Sequence, residues 1–235
     1  MPHHSENTAK NISRRKLLKG ASLMTAGGLL TGRVIAQNSG SSKQKTILAM
    51  GAHYDDCIYG IPGILLKAVD QGHRVVVVSI LGDYSNWKKV DGYSDTIIPK
   101  TIELCKHYGV EKRFLEFKSM NFEVNTETQR SVARSIADVR PDIAFMLWNN
   151  DRSVPHQRAA EISKAVLLFS DYLLNNSIPV KRPREIYMYD NGPRHTIDFE
   201  PNTYVDITKE WSRAAEWLGR LMAIRDNKAF DPASA

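Results

Sequence analysis

Thr46-Ile-Leu-Ala-Met-Gly-Ala-His-Tyr-Asp-Asp-Cys57 decides how the rest of the chain is read. Ile47, Leu48, Ala49 and Met50 form a short continuous apolar run, the pattern of a strand buried on both faces. Gly51 ends the run. His53, Asp55 and Asp56 follow, three groups that bind metals or move protons. After Cys57 the apolar residues Ile58, Ile61, Leu65, Ala68 and Val69 fall at helical spacing. Three ionisable side chains therefore stand where a strand hands over to a helix, and in open α/β sheets ligands bind in that crevice.

Working outward, strand and helix patterns alternate. Strands are expected at Arg74–Leu81, around the run Val75–Val78, and at Phe114–Phe117, Asp142–Trp148 and Glu185–Tyr189. Helices are expected over Thr96–Tyr108, stopped by Gly109, over Thr126–Val139 with Thr126 as cap, over His156–Asn175, and over Asp206–Ile224 with Thr208 as a second cap. Gly82–Asp95 and Asn149–Pro155 are polar loops. This alternation predicts a three-layer, Rossmann-like α/β fold. The sheet is mainly parallel, and right-handed crossovers place helices on both faces.

The amino terminus has a different character. Ser13-Arg14-Arg15-Lys16-Leu17-Leu18-Lys19 is a twin-arginine pattern in a basic segment. A small-residue apolar run follows from Gly20 to Leu30, and Val34-Ile35-Ala36 offers a cleavage site. Residues 1–36 are expected to be an export signal, removed near Ala36. The partner is then the twin-arginine export machinery, and the destination is the periplasm or cell surface. The run is short of the roughly 20 apolar residues of a membrane span, and no stable span is expected in the mature chain. Residues 37–45, rich in Ser, Gly and Asn, suit a flexible linker, and residues 46–235 a single domain.

The leader also carries the charge. The chain has 32 Lys+Arg against 26 Asp+Glu. Removing the six bases and one acid of residues 1–36 leaves 26 against 25, a net of +1. The basic pI of about 9.2 is therefore no sign of a nucleic-acid partner.

A second stretch, Trp148-Asn-Asn-Asp-Arg-Ser-Val-Pro-His156, also follows a buried strand and precedes a helix. In a parallel sheet both loops open at the same carboxyl edge, so His156 can approach His53 and Asp56. Two imidazoles and a carboxylate with a free position form a common catalytic zinc arrangement, and Asp55 is then free to act as base. Asp55 and Asp56 could equally cap a helix and favour its N-terminal dipole.

Ala52-His53-Tyr54-Asp55-Asp56-Cys57 resembles the Ala-His-Pro-Asp-Asp-Glu motif of the PIG-L/LmbE zinc-dependent N-deacetylases. The resemblance runs from about Thr46 to Thr208. Lys100-Thr-Ile-Glu103 with Tyr108-Gly-Val110 is similar to the family's Arg-x-x-Glu…Leu-Gly-Val helix. Arg140-Pro-Asp142 resembles the start of its fourth strand. Asp151 and His156 match the ends of its Asp-x-His-Pro-Asp-His segment. Pro201-Asn-Thr-Tyr-Val-Asp-Ile-Thr208 is similar to a late motif. The resemblance implies one divalent metal, Zn2+, on His53, Asp56 and His156, with Asp55 as general base. It also implies removal of acetate from an N-acetylated sugar or glycan.

Four positions depart from the motifs. Tyr54 replaces a proline and Cys57 a glutamate. Ser153 stands where the family has a histidine that supports the transition state, and Lys100 where an arginine meets substrate. Arg152 or His195 is a candidate substitute for the missing donor. Tyr84, Trp87 and Trp148 could stack on a sugar, although aromatics are more commonly used for packing. Cys57 and Cys105 suit small buried hydrophobes better than a disulfide. Besides the deacetylase, another zinc amide hydrolase and a catalytically weakened carbohydrate-binding protein stay open, as does a homo-oligomer.

Overall fold

The computed structural model describes residues 43–87, 92–118 and 122–232. The expected export signal, and the expected linker up to residue 42, lie outside the described residues. Gln44 and Lys45 are tied to the body: Gln44 Nε2 donates to the Gly72 carbonyl at 3.1 Å, and the Lys45 carbonyl accepts from the Arg74 N–H at 2.9 Å.

Among the described residues five strands form one sheet: β1 (Thr46–Gly51), β2 (Arg74–Asp83), β3 (Glu111–Lys118), β4 (Ile143–Leu147) and β5 (Glu185–Tyr189). Their order is β3-β2-β1-β4-β5, and every pairing is parallel. Among the described residues the helices are α1 (Asp56–Gly60), α2 (Pro62–Asp70), α3 (Tyr93–His107), α4 (Thr126–Ile136), α5 (Val154–Leu173) and α6 (Trp211–Asp226). α2 and α3 both pack on α6, while α4 packs on α5, so the sheet is covered on its two faces by separate helix groups. This is the expected three-layer α/β arrangement. β1 is the central strand, and Leu48, Ala49 and Met50 are fully buried, as a strand covered on both faces requires.

The chain leaves β1 in one direction towards β2 and β3, then returns on the other side of β1 for β4 and β5. β1 and β4 are neighbours, and Ile47–Met50 pair with Ile143–Met146. Their connections leave in opposite directions and open a crevice at the carboxyl edge.

Several boundaries differ from the sequence expectation. The first helix is two, because Ile61 leaves helical geometry (ψ 33°) and Pro62 starts a new first turn. β3 begins at Glu111, three residues early, since pairing with β2 recruits Glu111, Lys112 and Arg113 despite their charge. α3 begins at Tyr93, while Gly109, at φ 75°, ends it as expected. The cap of α4 is Asn125, not Thr126. Its side chain accepts from the Thr128 N–H at 2.9 Å, and Thr128 returns the bond in a capping box. The last helix starts at Trp211 rather than Asp206. Asp206 Oδ1 accepts from Thr208 N–H and Oγ1–H at 2.9 and 2.6 Å, closing a turn that diverts Thr208 from capping. Cys57 and Cys105 are free and buried.

Candidate metal centre

The loop after β1 is shaped by Asp56. Its Oδ2 accepts the backbone N–H groups of Ala52 and His53, each at 2.7 Å, which folds the segment back on the end of β1. This fold-back needs Gly51: a Cβ there would lie 2.9 Å from Asp56 Cβ. Beneath the loop, the buried Lys112 of β3 donates to the Tyr54 carbonyl at 3.2 Å and to Ser79 Oγ at 2.7 Å, and Ser79 donates to the His53 carbonyl. Two backbone carbonyls of the loop are thus held from adjacent strands.

The loop after β4 and the start of α5 bring His156 to the same place. His53 Nδ1 and His156 Nε2 are 3.1 Å apart. His156 Nε2 lies 3.2 Å from Asp56 Oδ1, and His53 Nδ1 lies 3.6 Å from Asp56 Oδ2. All three residues are buried. A tetrahedral zinc with bonds of about 2.0–2.1 Å keeps its donors about 3.3–3.4 Å apart. The three side chains fit such an ion in spacing and in chemistry: two imidazoles and one carboxylate.

The surroundings orient these donors. Asp151 Oδ2 lies 2.9 Å from His156 Nδ1. A carboxylate on the far nitrogen of a histidine directs the near one to a metal. Asn191, in the turn after β5, donates from Nδ2 to Asp56 Oδ1 at 3.0 Å. A second grouping of Asp151, His156 and His195 shares His156 with the first.

Charge follows the geometry. Burial opposes ionisation of Asp56, but the two histidines, His156 first, hold its carboxyl well below the usual carboxylate range. Burial, and then the Asp56 charge, push Asp55 up to about 6. Burial works against the His156 imidazolium, yet Asp56 and Asp151 lift it to about 9. The negative charge that favours a proton on His156 favours a metal cation in its place.

A cavity of about 450 Å³ opens on this cluster, lined by His53, Asp55, Asp56 and His156 together with Trp87, Ser153 and His195. Trp87 sits edge-on to His53, ring centroids 4.7 Å apart. Tyr59, Asn191, Arg194, Met222 and Arg225 complete much of the wall.

Other predicted site residues are placed elsewhere. Lys100 is exposed on α3 and is not among the residues lining the cavity. Tyr84 is fully buried, packs beside Tyr54 and Trp87, and donates its hydroxyl to the Leu81 carbonyl at 3.2 Å. Arg152 is exposed, also away from the lining. Trp148 donates from Nε1 to the Ile197 carbonyl at 2.9 Å and is a packing residue. Among the motif departures, Tyr54 is buried against Tyr84, and Cys57 Sγ lies 3.3 Å from the Tyr189 hydroxyl.

Sequence reasoning missed the roles of Asn191, Lys112 and Ser79. No local pattern marks them, since each acts across strands. Asp151 was visible as a matched motif position, without a role.

A family model described as PIG-L, GlcNAc-PI de-N-acetylase, matches residues 48–167. Among solved structures, N,N'-diacetylchitobiose deacetylase from Pyrococcus horikoshii aligns with a TM-score of 0.64 at 19% identity, over 78% of this chain and 71% of that one. GalB, the 4-carboxy-2-hydroxymuconate hydratase of Pseudomonas putida KT2440, aligns with 0.62 at 18%, over 78% and 82%. The A40926 pseudoaglycone deacetylase Dbv21 aligns with 0.54 at 13%, over 77% and 83%. At these identities the likeness is one of fold.

Proposed function

This chain belongs to the PIG-L family of GlcNAc-PI de-N-acetylases, and from that premise we propose that it is a metal-dependent hydrolase removing acetate from an N-acetylated amino sugar or glycan. The observation that carries the proposal is the meeting of His53, Asp56 and His156 at one cavity wall with Asp55 beside them. His53 by Nδ1, His156 by Nε2 and Asp56 by Oδ1 would hold the ion, zinc in our reading. When bound, such an ion supplies Lewis acidity to a carbonyl oxygen and to water.

The protein's own groups do the rest. Asp55 takes a proton from the attacking water while the water oxygen bonds to the acetyl carbon. It returns that proton to the nitrogen as the C–N bond breaks, giving acetate and a free amine. A carboxyl raised to about 6 is suited to both transfers near neutral pH. Asp151 and Asn191 keep His156 and Asp56 aligned. Trp87, with 41% of its surface exposed, offers an aromatic face for a sugar ring.

The hydratase among the fold relatives acts on a substrate of another class, so acetate release is the discriminating measurement. Purified protein is expected to release acetate from members of an N-acetyl sugar panel, to stop on chelation, and to recover with zinc. Stoichiometric zinc with no acetate from any member would overturn the proposal and favour a carbohydrate-binding protein. We also propose that the protein works outside the cytoplasm, on the basis of the leader pattern. Among the described residues no helix is long and apolar enough to cross a membrane.

A further inference from the structure

The turn after β5 brings two residues to the centre. Asn191 touches Asp56 directly. His195 stands beside His156, with ring centroids 5.0 Å apart and planes tilted by 44°. Its side chain keeps 47% of its surface exposed, and its Nδ1 lies 3.8 Å from Asp151 Oδ1. It lines the same cavity as Asp55 and the proposed ligands.

The turn is fastened on several sides. The Arg152 N–H donates to the His195 carbonyl and the Ile197 N–H to the Asn150 carbonyl, both at 2.9 Å. Asp151 and Thr196 form an antiparallel bridge. The Asn191 N–H donates to Thr196 Oγ1 at 3.1 Å. His195 is therefore an exposed imidazole on a backbone locked to both the β4–α5 loop and the metal carboxylate. At 3.8 Å its contact with Asp151 is too long for a hydrogen bond, so the ring retains an N–H for a ligand.

Ser153 lines the same cavity at the start of α5, with its N–H held by Asp151 Oδ1 at 2.6 Å. Its hydroxyl is short and neutral. The imidazole reaches further and sits on a prearranged turn, the condition under which a donor stabilises developing charge without reorganisation.

We propose that His195 is a further catalytic residue, donating a hydrogen bond to the acetyl oxygen as negative charge develops on it. The role rests on the deacetylase reading above. As the water oxygen bonds to the acetyl carbon, the carbonyl π pair moves to the oxygen and the water proton goes to Asp55. His195 neither gains nor loses a proton in this step.

The test uses the full metal-loaded chain as His195→Ala, His195→Gln and the double variant His195→Ala/Ser153→His. Two readouts are needed: kcat and KM for acetate release, and the calorimetric Kd of a glucosamine N-methylphosphonamidate, whose phosphoryl oxygens imitate the tetrahedral oxyanion. His195→Ala is expected to lower kcat about 100-fold or more, the effect of losing one such donor. KM should stay nearly constant, the phosphonamidate should bind about tenfold or more weaker, and zinc content and Tm should be unchanged. His195→Gln, which keeps an N–H donor, and the double variant should each recover part of the loss. A His195→Ala protein within about threefold of the parent in both kcat and phosphonamidate Kd would overturn the role. So would a parallel loss of zinc or Tm, which would make His195 structural. A parent that releases no acetate yet binds the phosphonamidate through His195 would overturn the deacetylase reading and leave the donor role standing. A parent that does neither overturns both.

Discussion

Asp56 has more to do than its proposed metal role requires. One oxygen closes the loop on two backbone N–H groups, and the other faces His156 and Asn191. Asp55, one residue earlier, carries none of these contacts and is only half-buried. The adjacent carboxylates are thereby given different tasks: one is fixed and strongly acidic, the other raised to about 6 and turned to the cavity. Asp55→Asn should retain zinc and fold normally, because the amide is nearly isosteric and the loop is held by Asp56. It should lose about 100- to 10,000-fold in kcat, the contribution of a positioned base. Stopped assays of acetate release with metal analysis on the same sample check this. Near-normal turnover with zinc bound would place the base elsewhere.

The elements serve the site by where they end. α1 is a single short helix whose first residue is Asp56, and Pro62 sets the start of α2 one residue after the break. β1 is anchored at its other end by Asp142, which accepts from the Thr46 N–H at 2.9 Å and pairs with Lys181. The Lys181 ammonium, and then the Thr46 N–H, hold the Asp142 carboxyl below the usual range. A depressed carboxyl stabilises the fold fully above its unfolded pKa of about 3.9, and the contribution is lost as pH falls through the folded value. Asp142→Ala should therefore cost about 1 kcal/mol at neutral pH, or about 2–4 °C in Tm. The gap from the parent should narrow below about pH 4. Thermal melts of both proteins between pH 3 and 7 check it; a gap that widens in acid would contradict the assigned role.

At the scale of the whole molecule, a centre is assembled from three separate connections. His53, Asp55 and Asp56 follow β1, Asp151 and His156 follow β4, and Asn191 and His195 follow β5. β4 and β5 lie in order on one side of β1, so these loops are neighbours at one edge. Lys112 adds support from β3, two strands away on the other side. The proposed export concerns the chain as a unit, since the twin-arginine route carries folded proteins and suits a domain that acquires metal while folding. Replacing Arg14 and Arg15 with lysine keeps the charge of the leader and should abolish export. The parent should appear outside the cytoplasm with a mature end near Gln37. Unchanged export of the double-lysine protein, measured by fractionation and amino-terminal sequencing, would remove the twin-arginine assignment.

The sequence alone determined the fold class and brought the candidate donors into view. The buried apolar run of β1, the β-branched run of β2 and the intervening helical periodicity are local patterns, and local pattern is enough to specify a parallel α/β sheet. His53, Asp55 and Asp56 were legible because they share one strand-to-helix loop, and His156 because a second such loop must open at the same edge. Tertiary structure decided what depends on side chains far apart in sequence. Asn191 meets Asp56 across 135 positions and Lys112 meets Tyr54 across 58, contacts that no periodicity encodes. It also placed Lys100 and Tyr84 outside the cavity lining, since a motif position fixes a place along the chain but not the direction in which packing sends the side chain. Thr126 and Thr208 failed as caps for local reasons: Asn125 accepts the free N–H of Thr128, and Thr208 is closed into a turn by Asp206, three residues before α6 begins at Trp211. Asp151 and His195 took their places from the bridge between Asp151 and Thr196, which forms only once β4 and β5 lie side by side.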